Sequence, residues 1–149
     1  VTPYALSLRH TSAILGRIVG AIPAERHGEA LGENRFTLVE MVAHIADSEN
    51  VYFERLRGAV ERDVPTFDRV DVIARAREGR FTERDIRQEL NAFAKRSRAT
   101  VSFLEALGPE AWAREFVSGI GRTSVERYVA FVSGHDLYHL DQASEYLVR

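Results

Sequence analysis

The chain has 149 residues, 45% of them hydrophobic and 28% charged, with a formal net charge of −2. That profile fits one globular domain able to bury roughly 68–70% of its unfolded surface, and it argues against a broad phosphate-binding surface. The lack of cysteine excludes disulfides, thiolate ligands and a cysteine nucleophile, and no apolar run reaches the roughly 18–20 residues of a membrane span.

Four long helices are expected and no strand. The first runs from about Pro3 to Ala21. Pro3 suits a first helical position, where its missing N–H is no loss, and Pro23 ends the helix. The second starts at Thr37, where Thr37 and Glu40 form a capping box and Phe36 and Met41 a hydrophobic staple. Leu38, Met41, Val42, Ile45, Tyr52, Phe53, Leu56 and Val60 keep helical spacing along it. Residues 63–81 are the longest connection. Val70, Val72 and Ile73 predict a short helix there, and the link is long enough to run back along the bundle.

The third helix repeats the same start, with Thr82 and Asp85 as a cap pair and Phe81 and Ile86 as a staple. Ile86, Leu90, Phe93, Val101 and Leu104 mark its buried stripe, and Gly108-Pro109 ends it. Trp112 and Phe116 predict a short element packed over one bundle end within residues 109–122. The fourth helix starts at Thr123 and Glu126 and continues to the C-terminus. No repeat or linker interrupts the pattern, so a single domain spanning 1–149 is expected.

The fourth helix carries His135 and His139, four residues apart and therefore on one face. Tyr128, Phe131, Val132 and Tyr146 share that side, so both imidazoles point inward. Two neutral imidazoles in an apolar bundle need a bond or a ligand. His44 lies on or beside the inward face of the second helix. With a rise of ~1.5 Å per residue, His44, His135 and His139 fall within about one or two turns if the two helices are antiparallel. A lone H-x-x-x-H also fits structural imidazoles, and Asp136 after His135 departs from the H-E-x-x-H of zinc proteases. The third inward histidine at matching height is what favours a metal site. His10 and His27 are expected to be solvated.

These residues resemble a known family. The stretch Phe36-Thr37-Leu38-Val39-Glu40-Met41-Val42-Ala43-His44-Ile45-Ala46-Asp47-Ser48-Glu49 is similar to the second-helix motif of the DinB-like/YfiT-like proteins. His135-Asp136-Leu137-Tyr138-His139-Leu140-Asp141-Gln142 is similar to their fourth-helix motif. Many members have tryptophan where this chain has Phe36, a departure that touches packing and not the ligands. The resemblance implies an all-α, up-down-down-up four-helix bundle with a long crossover between helices 2 and 3, often as a homodimer. It implies a divalent ion on His44, His135 and His139, nickel or zinc first and iron or manganese next. The activities it implies are transfer of a low-molecular-weight thiol to an electrophile, thiol-dependent isomerisation and metal-dependent hydrolysis.

Three neutral imidazoles leave a coordination position open for a water or a thiolate as nucleophile. Candidates around the site are Asp47, Asp136 and Asp141 as tautomer-fixing partners, each also readable as a solvated helix charge, and Gln142, three residues after His139. Tyr52, Tyr128 and Tyr138 are candidates for positioning substrate or for core packing. The arginines from Arg75 to Arg98 alternate with Glu78, Glu83, Asp85 and Glu89, the pattern of a salt-bridged solvent face.

The expected function is that of a metal-dependent thiol transferase acting on a small molecule. The alternatives are a metal-dependent hydrolase and a non-catalytic metal-holding stress-related module. Val1-Thr2-Pro3-Tyr4 shows no leader pattern, so a cytoplasmic location is expected, with no nucleic-acid or membrane partner. Lys95 is the sole lysine among many arginines, a usage that fits a GC-rich bacterial genome.

Overall fold

In the computed structural model, which describes residues 2–149, four long helices form a bundle: α1 (Pro3–Gly20), α2 (Leu38–Glu61), α4 (Ile86–Glu105) and α6 (Val125–Ser144). Two short helices, α3 (Val72–Glu78) and α5 (Pro109–Trp112), lie in the connections. α1 and α2 each pack against both α4 and α6. Ser133 donates to Ser7 at 2.9 Å, and Thr11 donates to Asp136 at 3.2 Å, tying α1 to α6. Thr100 donates to Glu49 and Arg96 to the Ala46 carbonyl, tying α4 to α2.

The helix starts follow local chemistry. Thr37 caps α2 by accepting from the Glu40 N–H, while Glu40 accepts from the Thr37 N–H, the expected capping box. Phe36 and Met41 pack in the same cluster, as the staple requires. The corresponding expectation for the third long helix is corrected. Phe81–Glu83 is a 3₁₀ turn, and α4 begins three residues later with Asp85 accepting from the Gln88 N–H. Phe81 packs with Ala43 and Ala76 and leaves Ile86 to the main core, so no staple forms. α6 likewise starts one residue later than expected, with Ser124 as its cap, and it gives way to a 3₁₀ turn at Glu145–Leu147.

The expectation of no strand is also corrected. Two four-residue strands, β1 (Glu115–Ser118) and β2 (Gly121–Ser124), form an antiparallel hairpin with Glu115 opposite Ser124 and Phe116 opposite Thr123. Strands this short show too few alternations to stand out from a loop. The hairpin is stitched to the long crossover: the Phe67 N–H donates to the Val117 carbonyl, and the Val117 N–H to the Pro65 carbonyl. The anchor is Phe116, which is fully buried with its ring centroid 4.8 Å from that of Tyr128.

The core has two large apolar clusters beside the small one around Phe81. One gathers Leu56, Phe116, Val125 and Tyr128. The other gathers Leu15, Leu38, Phe93 and Leu140. His135 and His139 sit in sequence between Val132 of the first cluster and Leu140 of the second, whereas His44 is flanked on both sides by members of the second. No helix among the described residues is long and apolar enough to cross a membrane.

Candidate metal centre

α2 brings His44 inward from between Val42 and Ile45, both buried. α6 presents His135 and His139 one turn apart on the facing side. The His135 Nε2 atom lies 3.3 Å from Nε2 of His44 and 3.1 Å from Nε2 of His139. The candidate ligand atoms of all three residues lie within 4.8 Å of one another. Ligands on a divalent ion with bonds of about 2.0–2.1 Å stand about 2.8–3.4 Å apart at octahedral or tetrahedral angles, so these spacings suit one shared ion.

The proton count points the same way. The Gln142 amide oxygen lies 2.8 Å from His139 Nδ1 and can only accept, which assigns the His139 proton to Nδ1 and a lone pair to Nε2. His135 Nε2 faces the Nε2 atoms of both other rings, while its buried Nδ1 has no hydrogen-bond partner. With its proton on Nδ1, His135 aims a lone pair at that of His139. With the proton on Nε2, it leaves a buried lone pair unmatched at Nδ1. A cation among the three Nε2 atoms removes the first conflict and leaves the protonated Nδ1 nitrogen 3.6 Å from Asp136 Oδ1.

Burial pushes the histidines well below their ordinary value of 6.5. His44 falls to about 3 through burial and the nearness of His139 and His135, and His135 and His139 fall to about 4, burial being the main cause. All three are neutral at pH 7 and offer lone pairs.

The other predicted residues divide. Gln142 touches a histidine as expected, and its amide N–H donates to the Tyr138 hydroxyl. Tyr52 packs edge-on against His135 with centroids 5.3 Å apart. Asp47 does not bond to an imidazole; both its oxygens accept from Arg75 at 2.7 Å. Asp136 is buried rather than solvated. One of its oxygens accepts from Thr11, and burial raises its carboxyl to about 7. Asp141 is exposed. His10 is exposed as expected, whereas His27 is half-buried with its ring nitrogen 3.0 Å from the Ile22 carbonyl. Of the arginine run, Arg80 pairs with Glu83 and Arg84 with Glu89, as on a solvated face.

Beside His44 and His135 opens a cavity of about 390 Å³. Its wall includes Tyr52, Phe131, Arg55, Arg69 and the hairpin tip at Gly119-Ile120. The sequence reading passed over Arg55, although its place three residues after Tyr52 puts it on the same helix face. The hairpin tip reaches the site only through tertiary packing, and no local signal announces it.

A four-helix bundle with three imidazoles turned into its interior belongs to the class of helical bundles that build metal sites from facing side chains. The chain belongs to the DinB superfamily, whose family model matches residues 7–143. No curated protein sequence matches it significantly. Among solved structures, it is similar to YfiT from Bacillus subtilis, a probable metal-dependent hydrolase with an unusual four-helix bundle topology. That match has 16% identity and a TM-score of 0.91 over 98% of this chain and 87% of YfiT. It is also similar to a mycothiol-dependent maleylpyruvate isomerase, with 15% identity and a TM-score of 0.73 over 92% of this chain but 57% of the isomerase. The DinB-like protein YjoA from Bacillus subtilis matches with 16% identity and a TM-score of 0.65 over 97% of this chain and 90% of its own. At such identities the likeness speaks for the fold.

Proposed function

We propose that His44, His135 and His139 hold one divalent cation through Nε2, and that the chain is an enzyme transferring a low-molecular-weight thiol to an electrophilic small molecule. The observation that carries this reading is the meeting of three neutral imidazoles at the edge of an open cavity. Nickel and zinc suit an all-imidazole donor set, with iron and manganese next. When bound, such an ion supplies Lewis acidity and favours the ionised form of a thiol or water at neutral pH.

The chain's own groups do the rest. Gln142 fixes the His139 tautomer, and Tyr52 and Phe131 wall the His135 ring. Val51, Val70 and Ile120 give the cavity apolar lining that limits water. Asp47 is the carboxylate on the cavity wall, and it is engaged by Arg75. The likeness to the mycothiol-dependent isomerase supports the thiol reading. Hydrolysis is the second reading, supported by the likeness to YfiT. A metal-holding module without turnover is the third.

For the bundle we infer the up-down-down-up order, with residues 62–85 as the crossover. The step from Ser7–Ser133 to Thr11–Asp136 supports parallel α1 and α6. The step from Ala46–Arg96 to Glu49–Thr100 supports parallel α2 and α4.

The test is turnover of a model electrophile by metal-loaded protein with and without a small thiol. Turnover that needs the thiol supports the transferase. A rate indifferent to thiol favours the hydrolase, and stoichiometric metal without turnover favours the module.

A further inference from the structure

We infer that the substrate carries a carboxylate and that Arg55, buried in the cavity wall beside His44 and His135, receives it. Arg55 is only 8% exposed. Its Nη1 donates to the Tyr128 hydroxyl at 3.0 Å and its Nη2 to the Asp68 carbonyl at 2.8 Å, both neutral acceptors. Among the described residues no carboxylate forms an ion pair with it. Two neutral acceptors would be satisfied equally by a neutral donor, whereas a buried guanidinium without a counter-charge is costly. The arrangement becomes favourable when an anion enters the cavity.

The charge of the whole wall agrees. Three arginines, Arg55, Arg69 and Arg75, line it against one carboxylate, Asp47, which Arg75 already engages. A divalent ion on the histidines adds to this positive excess. Guanidinium forks bind carboxylates with two parallel hydrogen bonds, so an anionic end fixed there orients the rest of the molecule. Val51, Ile120 and Phe131 supply the apolar wall for that remainder. A volume of about 390 Å³ lies within the range of small-molecule sites. The ligand class is thus a small organic carboxylate with an apolar body. The inference rests on the proposed metal site only for where the reacting end lies.

The test compares benzoate with its neutral counterpart benzamide by calorimetric titration of the full-length protein as purified, with metal content measured on the same samples. Wild type should prefer benzoate at least tenfold. Arg55→Gln should bring the ratio to within about twofold, and Arg55→Lys, which keeps the charge, should retain part of it. His44→Ala, with its metal weakened, should keep the preference. Equal affinities in wild type, or an undiminished preference in Arg55→Gln, would overturn the assignment. So would a preference that disappears in His44→Ala but survives in Arg55→Gln, because the ion would then be the receptor. An Arg55-dependent preference in protein that binds no metal would sink the metal reading and leave this one standing. Should Arg55→Gln fail to fold, the wild-type Arg55 Nε–H resonance decides: it should shift with benzoate and not with benzamide, and an unmoved resonance counts against the site.

Discussion

Gln142 accepts a hydrogen bond from His139 Nδ1 at 2.8 Å, one turn along the same helix, and so commits the ring to present its Nε2 lone pair to the other two histidines. Partners of this kind orient a ligand and raise its basicity, and their loss typically weakens metal binding by 10–100-fold. Gln142→Ala should lower metal affinity by about that factor while the helical content stays unchanged. Gln142→Glu, which keeps an acceptor at the same reach, should retain the affinity. Competition with a chromophoric chelator measures both, and an affinity unmoved by Gln142→Ala would remove the residue from the site.

Metal removal should cost stability, because the ligands come from two helices and converge only in the folded chain. At a free metal concentration about 1,000 times the dissociation constant, binding stabilises the native state by about 4 kcal/mol. For a domain of this size that corresponds to a drop of about 10 °C in the thermal midpoint on chelation. His44→Ala, His135→Ala and His139→Ala should each lose or strongly weaken the ion and no longer respond to chelator. Histidines that were merely hydrogen-bonded core residues would give a wild-type midpoint that ignores the chelator.

The histidine cluster was legible because helical spacing is local: four residues separate His135 from His139, and a capped α2 fixes which way His44 faces. The start of α2 was equally legible, since Thr37 and Glu40 satisfy each other within one turn. The start of α4 was not, because two overlapping signals competed. Asp85 won the cap, and Phe81 was drawn away to Ala43 and Ala76 by tertiary packing. The roles of Asp47 and Asp136 were likewise unreadable. Each is a helix carboxylate, and only long-range neighbours, Arg75 for one and Thr11 for the other, separate a surface ion pair from a buried hydrogen bond.

Glu49 should make stability fall as pH rises. It is 1% exposed; one oxygen accepts from Thr100 at 2.6 Å and the other has no partner. Burial, with Asp136 nearby, raises its carboxyl from 4.5 to about 7. Because the folded value lies above the unfolded one, the contribution is complete below about pH 4.5 and is lost as pH rises toward 7. Glu49→Gln cannot ionise in either state, so its stability relative to wild type should grow across that window. The difference should change by about 3 kcal/mol in favour of the variant between pH 4 and pH 7 and level off above that. Urea unfolding of both proteins between pH 4 and 8 checks this, and a constant difference would show that Glu49 ionises freely in the fold.

The hairpin should belong to the cooperative core rather than hang on it. Phe116 is fully buried between Tyr128, at 4.8 Å between centroids, and Phe67 of the crossover, at 5.8 Å. Tyr128 in turn holds Arg55 through its hydroxyl. Removing the Phe116 ring loses the burial of a whole aromatic side chain and leaves a cavity on which Tyr128 can shift. Phe116→Ala should therefore cost about 3–5 kcal/mol, a typical value for a buried phenylalanine. Because the crossover and the cavity wall meet at this ring, the loss should also speed hydrogen exchange at Phe67, whose N–H donates to the Val117 carbonyl. The His44 N–H, buried in the second turn of α2, should exchange only as fast as global unfolding permits. A cost under about 1 kcal/mol, outside the usual range for such a truncation, would mean that the hairpin folds over the bundle without stabilising it, and that the Tyr128–Arg55 contact is held from elsewhere.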